Sequence, residues 1–396
     1  MRARRGSGVR ARALAAPLML ATVVIGLRPA TVSTATCLTG TGLPVRPGAA
    51  SQFLGVAAST GRAWAVGSYT RRTGSARTLI EYWNGTAWAR QPSPSPGAGN
   101  SYLFGVAAIS GSDAWAVGAG STSQGLIEHW NGTTWTQVPS HSPAGVTGGT
   151  VLTGVAAASA SDAWAVGSYN TGPGTKSRTL IEHWTGTAWT PVPSPNPGGS
   201  AIYIQLASVA ATSASNAWAV GQYYNTATRH YQMLIEHWNG TTWTQVPSPS
   251  PASPTRNNLL AGVAATSATD AWAVGKYHNH AARQDQTLIE HWNGTTWTQV
   301  PSPNPSPPRS SNQLTAVAAT SASNAWAVGK YFTRGPATLS FAEHWNGTSW
   351  TQVPSPNPSP SYDVLAGVAT TSDTGAWAAG VSITGQSEQS LAFRCS

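Results

Sequence analysis

The chain has 396 residues, enough for two or three ordinary domains or one large repetitive one. Only 9% are charged, against roughly 25% in an average soluble domain, which excludes a nucleic-acid-binding arm, a coiled coil and an acidic disordered tail. The 41 Gly and 28 Pro show no Gly-every-third period, so collagen is excluded, and nineteen Trp stand against five Phe.

The formal net charge of +9 belongs mostly to the N-terminus. Arg2, Arg4, Arg5, Arg10, Arg12 and Arg28 flank an apolar run, Ala13 to Leu27, followed by small residues at Ser33 to Ala35. Basic, apolar and small-residue segments in that order predict a secretory signal peptide over residues 1–35. The run is too short, and too broken by Pro17, for a membrane span. Cleavage after Ala35 removes six of the 22 basic residues and leaves sixteen against thirteen acidic, a net charge of +3. The basicity is therefore poor support for a nucleic-acid partner. With no later segment apolar enough to span a bilayer, the mature chain is expected to be secreted or held at the cell surface.

A repeat organises the rest. AWAVG (AWAAG in the last copy) places its tryptophan at Trp64, Trp115, Trp164, Trp218, Trp272, Trp326 and Trp377. E-[HY]-W-[NT]-G-T-x-W follows each of the first six copies and supplies the other twelve Trp. Recurrence at about fifty residues is the mark of repeat architecture, and it assigns these tryptophans to a repeating core rather than to catalysis. Each copy reads as four short strands. In the fifth, Leu260 to Ala265 is apolar, and Ala271 to Tyr277 puts Trp272 and Val274 on one face. Thr287 to Trp292 runs into Asn293-Gly294, a strong hairpin signal, and Thr296 to Val300 ends at Pro301. The expected fold is all-β: a seven-bladed β-propeller with four antiparallel strands per blade. The expected blades are 52–95, 101–140, 150–194, 203–248, 258–302, 312–355 and 363–396, within one domain over 36–396.

The seventh copy stops after three strands, and residues 36–45 are expected to supply its outer strand and close the ring. Aligning Leu43-Pro44 with Val246-Pro247 puts Cys37 on the Gly240 position of the hairpin turn and Cys395 on the Trp238 position. Those positions are two residues apart across one hairpin, so a Cys37–Cys395 disulfide is expected in an exported protein.

These repeats make the chain resemble kelch and Asp-box β-propellers, especially exported bacterial proteins with AWAVG…EHWNGTxW repeats. Trp238 to Trp243 is similar to an Asp-box in its Gly-x-Thr-Trp end, but Glu236 and Trp238 stand where the box has Ser and Asp. The Gly-Gly doublet of a standard kelch repeat is also missing. The resemblance implies a fold and leaves function open, because propellers host many activities.

The repeated carboxylates (Glu81, Glu128, Glu182, Glu236, Glu290 and Glu343) precede His129, His183, His237, His291 and His344 in five copies. Adjacent strand residues point to opposite faces, so neighbouring Glu and His do not chelate one ion. We read the Glu residues as structural acceptors for backbone or Trp N–H groups, and the Asp or Asn before each AWAVG as a turn former. The Asn-Gly-Thr turns at Asn84, Asn131, Asn239, Asn293 and Asn346 are sequons that hairpin chemistry already explains. His278-x-His280, with His230 one copy earlier, reads as solvated loop histidines, and no metal or cofactor is implied.

Outside the repeat, basic residues collect in the loops between second and third strands and in the Pro-rich connectors between copies, expected on one face. Arg46, Arg256 and Arg309 lie in connectors. The candidate ligand-binding residues are Tyr69, Arg71, Arg72, Tyr169, Lys176, Arg178, Tyr223, Tyr224, Arg229, His230, Lys276, Tyr277, His280, Arg283, Lys330, Tyr331 and Arg334. Tyrosine gives rigid amphipathic contact area, and arginine gives bidentate recognition of carboxylate or phosphate. Only Asp285, Asp363 and Glu388 oppose these cations. The expected function is a non-enzymatic binding module for an extracellular glycan or protein, with an acidic polymer as a natural ligand. A glycan-active hydrolase or lyase and a structural cell-surface scaffold are the alternatives.

Overall fold

A computed structural model describes residues 37–39 and 50–396, apart from 71–73, 123, 144–145, 147, 173–175, 198–202, 252–254 and 373–374. The expected signal peptide, Leu43-Pro44, Arg46, Arg71 and Arg72 lie outside the described residues. Among the described residues there are 28 strands and no helix. Five four-stranded antiparallel sheets follow one another along the chain, each with its strands in sequence order. A single parallel pairing, Thr338↔Tyr362, links the last two groups of strands into one eight-stranded sheet. The chain is a β-propeller.

The AWAVG pentapeptide explains the packing. In the fifth repeat the strands are Asn258–Ser267, Asp270–Asn279, Gln284–Trp292 and Trp297–Gln299. Alternation sends Trp272 and Val274 toward the sixth repeat, where they share a buried cluster with Leu314, Ala325, Ala327 and Phe341. Ala271 and Ala273 face the other way, against Trp218 and Val220 of the fourth repeat. The two alanines leave room for the indole of the preceding repeat. Trp218 is fully buried, with Trp292 at 4.9 Å and Trp297 edge-on at 5.1 Å. Truncating such a Trp to Ala costs about 3–5 kcal/mol.

The glycine of the pentapeptide is needed for a different reason. The first strand of the fifth repeat shifts register between Leu260 and Gly262, and a Cβ on Gly275 would lie 2.0 Å from the Leu259 carbonyl oxygen. The first strands also approach each other closely. A Cβ on Gly154 would lie 3.1 Å from Ser208 Cα, and one on Gly367 would lie 3.1 Å from Gly55 Cα. A cavity of about 350 Å³ runs between them, lined by the first strand of every repeat.

The first and last repeats meet. Phe53, Leu79 and Trp88 of the first repeat share a cluster with Trp377, Ala379 and Ala392, and Ser51 Oγ lies 3.0 Å from Ser390 Oγ. Strand Cys37–Thr39 pairs antiparallel with Ser387–Cys395, and a disulfide joins Cys37 to Cys395. Cys395 opposes Ala376 as Trp238 opposes Ala217, the expected place. Cys37 differs from expectation by three residues. It directly opposes Cys395, as Trp243 opposes Trp238, rather than standing at the Gly240 turn position. Directly opposed residues of an antiparallel pair have the closest Cβ atoms, which a disulfide requires, whereas Gly240 sits in the turn itself with φ +94.

Candidate binding face

The recurring polar residues are bound into the scaffold. His291 Nε2 lies 2.7 Å from Asp270 Oδ1, and its ring stacks 4.1 Å from Trp272. His129, His183, His237 and His344 repeat this with Asp113, Asp162, Asn216 and Asn324. In the first repeat Tyr82 packs at a tilt over Trp64, and Arg62 donates to its hydroxyl. The Asp and Asn residues read as turn formers therefore anchor a cross-strand imidazole that lids the core tryptophan.

The six repeated carboxyls are buried, in agreement with a structural reading; Glu182 has an expected backbone partner, the His141 N–H at 3.0 Å, but the side-chain partners are serines rather than tryptophans. Glu128 accepts from Ser93 at 2.9 Å, Glu182 from Ser140 at 2.6 Å and Glu343 from Ser302 at 3.0 Å. Each donor is the serine of the Pro-Ser connector of the preceding repeat. Glu236 and Glu290 face Ser194 and Ser248 at the same connector position, without a bond of ordinary length. The core tryptophan N–H groups, such as those of Trp218 and Trp272, are buried without acceptors. Burial pushes Glu128, Glu236 and Glu343 up to about 8, against the lowering effect of their serines. Glu81 and Glu290 rise to about 7 for the same reason, Arg90 opposing the rise at Glu81 and Ser248 at Glu290. A group with a value of about 8 is mostly a neutral carboxylic acid at pH 7.

The remaining polar chemistry lies where the second-to-third-strand loops meet the connectors. His278 N–H donates to the Asn257 carbonyl at 3.0 Å, and Arg309 N–H donates to Gln284 Oε1 at 2.6 Å. The structure divides the candidate residues here. Tyr69, Tyr169, Tyr223, Tyr277 and Tyr331 are half-buried, and their rings pack against the apolar clusters between repeats. Each stands five residues after its core Trp, so core packing is one role of these rings. Tyr224 is grouped with Tyr231 at 5.3 Å, and Tyr231 meets Tyr203, which the sequence reading passed over, at 5.9 Å.

The cations divide in the same way. Lys276 Nζ pairs with Asp285 at 2.8 Å, and His278 shares that carboxylate at 3.0 Å, so Lys276 is not a free charge. Burial alone would raise Asp285, but the bonds from Lys276 and His278 outweigh it and hold the carboxyl below its ordinary value. Lys330 and His230 are half-buried, and burial, helped by the charge of Lys276, lowers Lys330. Arg178 is half-buried too, and Arg77 donates to the Gly97 carbonyl at 3.0 Å. Lys176, Arg229, Arg283, Arg309 and Arg334 are exposed, with no ion pair among the described residues. Asp363 is buried and accepts from the Ser359 N–H, so it does not offset them at the surface.

Arg229, Arg283 and Arg309 have φ of 60°, 52° and 68°, and are the non-glycine residues of positive φ among those described. A left-handed backbone costs an L-residue about 1–2 kcal/mol, and glycine carries no such penalty. Arg229 and Arg283 end equivalent turns that begin at Asn225 and Asn279, whose side-chain oxygens accept from Ala227 and Ala282.

At the level of sequence, no family model and no curated protein matches this chain. Solved structures match its fold. YCF48 from Cyanidioschyzon merolae superposes with a TM-score of 0.52 at 14% identity, covering 92% of this chain and 98% of that one. A chain of a mitotic checkpoint complex gives 0.51 at 10% identity and 98% coverage of both. An ulvan lyase bound to -[GlcA(1-4)Rha3S]- gives 0.50 at 10% identity, covering 91% and 94%. At such identities the likeness is one of fold.

Proposed function

We propose that the chain is a closed ring of seven blades. It acts outside the cell as a non-enzymatic binding module, and its loop face captures a glycan or protein, with an acidic glycan the favoured ligand. Ring closure is supported by the shared cluster of Phe53 and Trp377 and by the Cys37–Cys395 bond. Export is supported by that disulfide and by the N-terminal signal pattern. No helix among the described residues is long and apolar enough to cross a membrane.

The observation that carries the binding role is the set of exposed arginines without carboxylate partners, three of them held in left-handed conformations that glycine would adopt more cheaply. An arginine kept at that cost is kept for its side chain. Propellers of similar fold include one bound to a peptide and one bound to a uronate-containing saccharide, so the scaffold is suited to either ligand. Binding is favoured over catalysis because Asp285 is tied to Lys276 and His278, and Asp363 is buried. A glycan array probed at about 0.15 M and about 1 M salt tests the reading. Binding to uronate-rich or sulfated glycans that disappears at high salt supports it, since screening contracts from about 8 Å to about 3 Å. Binding confined to neutral glycans and indifferent to salt refutes it.

A further inference from the structure

We propose that a recess between the connector after the fourth repeat and the second-to-third-strand turn of the fifth is a subsite for the carboxylate of a uronic acid residue, read by Arg256 and His280. The proposal rests on the glycan-binding reading above and places it at one site. The recess encloses about 530 Å³, and its walls include Pro251, Arg256, Tyr277, His278 and His280.

Arg256 Nη2 lies 3.2 Å from His280 Nδ1. A guanidinium only donates, so Nδ1 is the acceptor, and the ring carries its proton on Nε2. The pair therefore presents the remaining guanidinium N–H groups and an imidazole N–H, with no acceptor of opposite charge. Neither residue is ion-paired among the described residues. Three other polar groups of the recess are occupied. His278 bonds Asp285, Tyr277 donates to Gln286 at 2.7 Å, and Asn279 Nδ2 donates to the same Gln286 oxygen at 2.8 Å. That leaves Arg256 and His280, both donors, and the exposed amide of Gln299, which donates and accepts, as the lining groups available to a ligand.

A planar carboxylate satisfies such a fork, and charge-assisted bonds of this kind are the stronger ones. The saccharide, rather than a peptide, follows from the walls and the neighbouring edge. Pro251 and the Tyr277 ring give an apolar surface on which a sugar ring rests. A peptide adding to the sheet would need an open strand edge. The fourth strand here, Trp297–Gln299, is three residues long and is followed by Pro301, Pro303 and Pro305, which have no N–H to offer.

The test is calorimetric titration of the full mature chain with trigalacturonate, its methyl ester and inorganic sulfate. Trigalacturonate is expected to bind, the methyl ester to bind at least about tenfold more weakly, and sulfate alone more weakly still. Arg256→Gln is expected to cost trigalacturonate affinity about tenfold and His280→Gln several-fold, each with an unchanged melting temperature. Should Arg256→Gln lower the melting temperature, His280→Gln alone decides. Parent-like binding by either well-folded variant overturns the site, and so does sulfate binding as tightly as trigalacturonate. If these variants bind normally while an Arg229, Arg283 and Arg309 triple variant loses affinity, the loop-face reading survives without this site. If none loses affinity, both fall.

Discussion

The Ser302 hydroxyl donates to the buried Glu343 carboxyl at 3.0 Å, fastening the connector of the fifth repeat to the third strand of the sixth. Burial raises Glu343 from its ordinary 4.5 to about 8, so between those values the folded chain holds a proton that the unfolded chain has released. The contribution is complete below about 4.5 and is lost as pH rises through about 8. Burial lowers His237 and His344, which are neutral in both states above pH 7, so a loss of stability at alkaline pH belongs to the carboxyls. The melting temperature should fall between pH 7 and pH 9, and Glu343→Gln should flatten that slope. A melting temperature that rises across this interval contradicts the account of these latches.

The Cys37–Cys395 bond closes a separation of 358 residues. In the chain-entropy description such a loop contributes on the order of 5 kcal/mol. Reduction, or a Cys37→Ser and Cys395→Ser double variant, should lower the melting temperature and speed hydrogen exchange in Ser387–Cys395. Unchanged melting under reductant would show that the bond adds nothing to the stability of the fold.

Gly275 has no room for a methyl group, because the carbonyl that a Cβ would strike is backbone. Gly275→Ala is expected to destabilise by about 1–3 kcal/mol, the usual range for overpacking, or to prevent folding. The same substitution at Gly335, in an open loop, should change stability little. Chemical denaturation of the two variants makes the comparison.

Arginine at positive φ separates stability from binding. Arg229→Gly and Arg283→Gly should each stabilise the fold by about 1 kcal/mol by relieving the left-handed backbone. Each should also weaken capture of an acidic glycan. Denaturant midpoints measured beside affinities check both halves, and a variant that loses stability shows that the arginine side chain serves the fold.

Much of this architecture was legible in the sequence because large-small alternation is a packing rule. Trp272 between Ala271 and Ala273 gives both the strand and its neighbours. Asn293-Gly294 marks the hairpin, and the two cysteines mark where strand Cys37–Thr39 joins the last repeat. Anchoring on Leu43-Pro44 displaces Cys37 by three residues, because a disulfide answers to direct cross-strand opposition. That the tyrosines also pack against the core is a role that loop proximity alone does not show. Tyr277 lies at a fixed distance from Trp272, and that fixed offset was the available signal for a core role. The serine partners of the glutamates were written in the recurring Pro-Ser of the connectors, but only the fold brings Ser302 to Glu343. The Arg256–His280 pair joins residues 24 apart through loop geometry that no periodicity encodes.

The central claim is that exposed arginines on the loop face capture an acidic polymer, and it is tested most directly by salt-dependent binding to polygalacturonate. Arg229, Arg283 and Arg309 are the residues to change together, to Asn, which tolerates a left-handed backbone. Lys276 is left in place because its removal would leave Asp285 with His278 alone. The account predicts that the parent binds at about 0.15 M salt and loses most affinity by about 1 M. The triple variant should bind weakly at both, with a melting temperature no lower than the parent's. Parent-like affinity and salt dependence in the folded triple variant would contradict it.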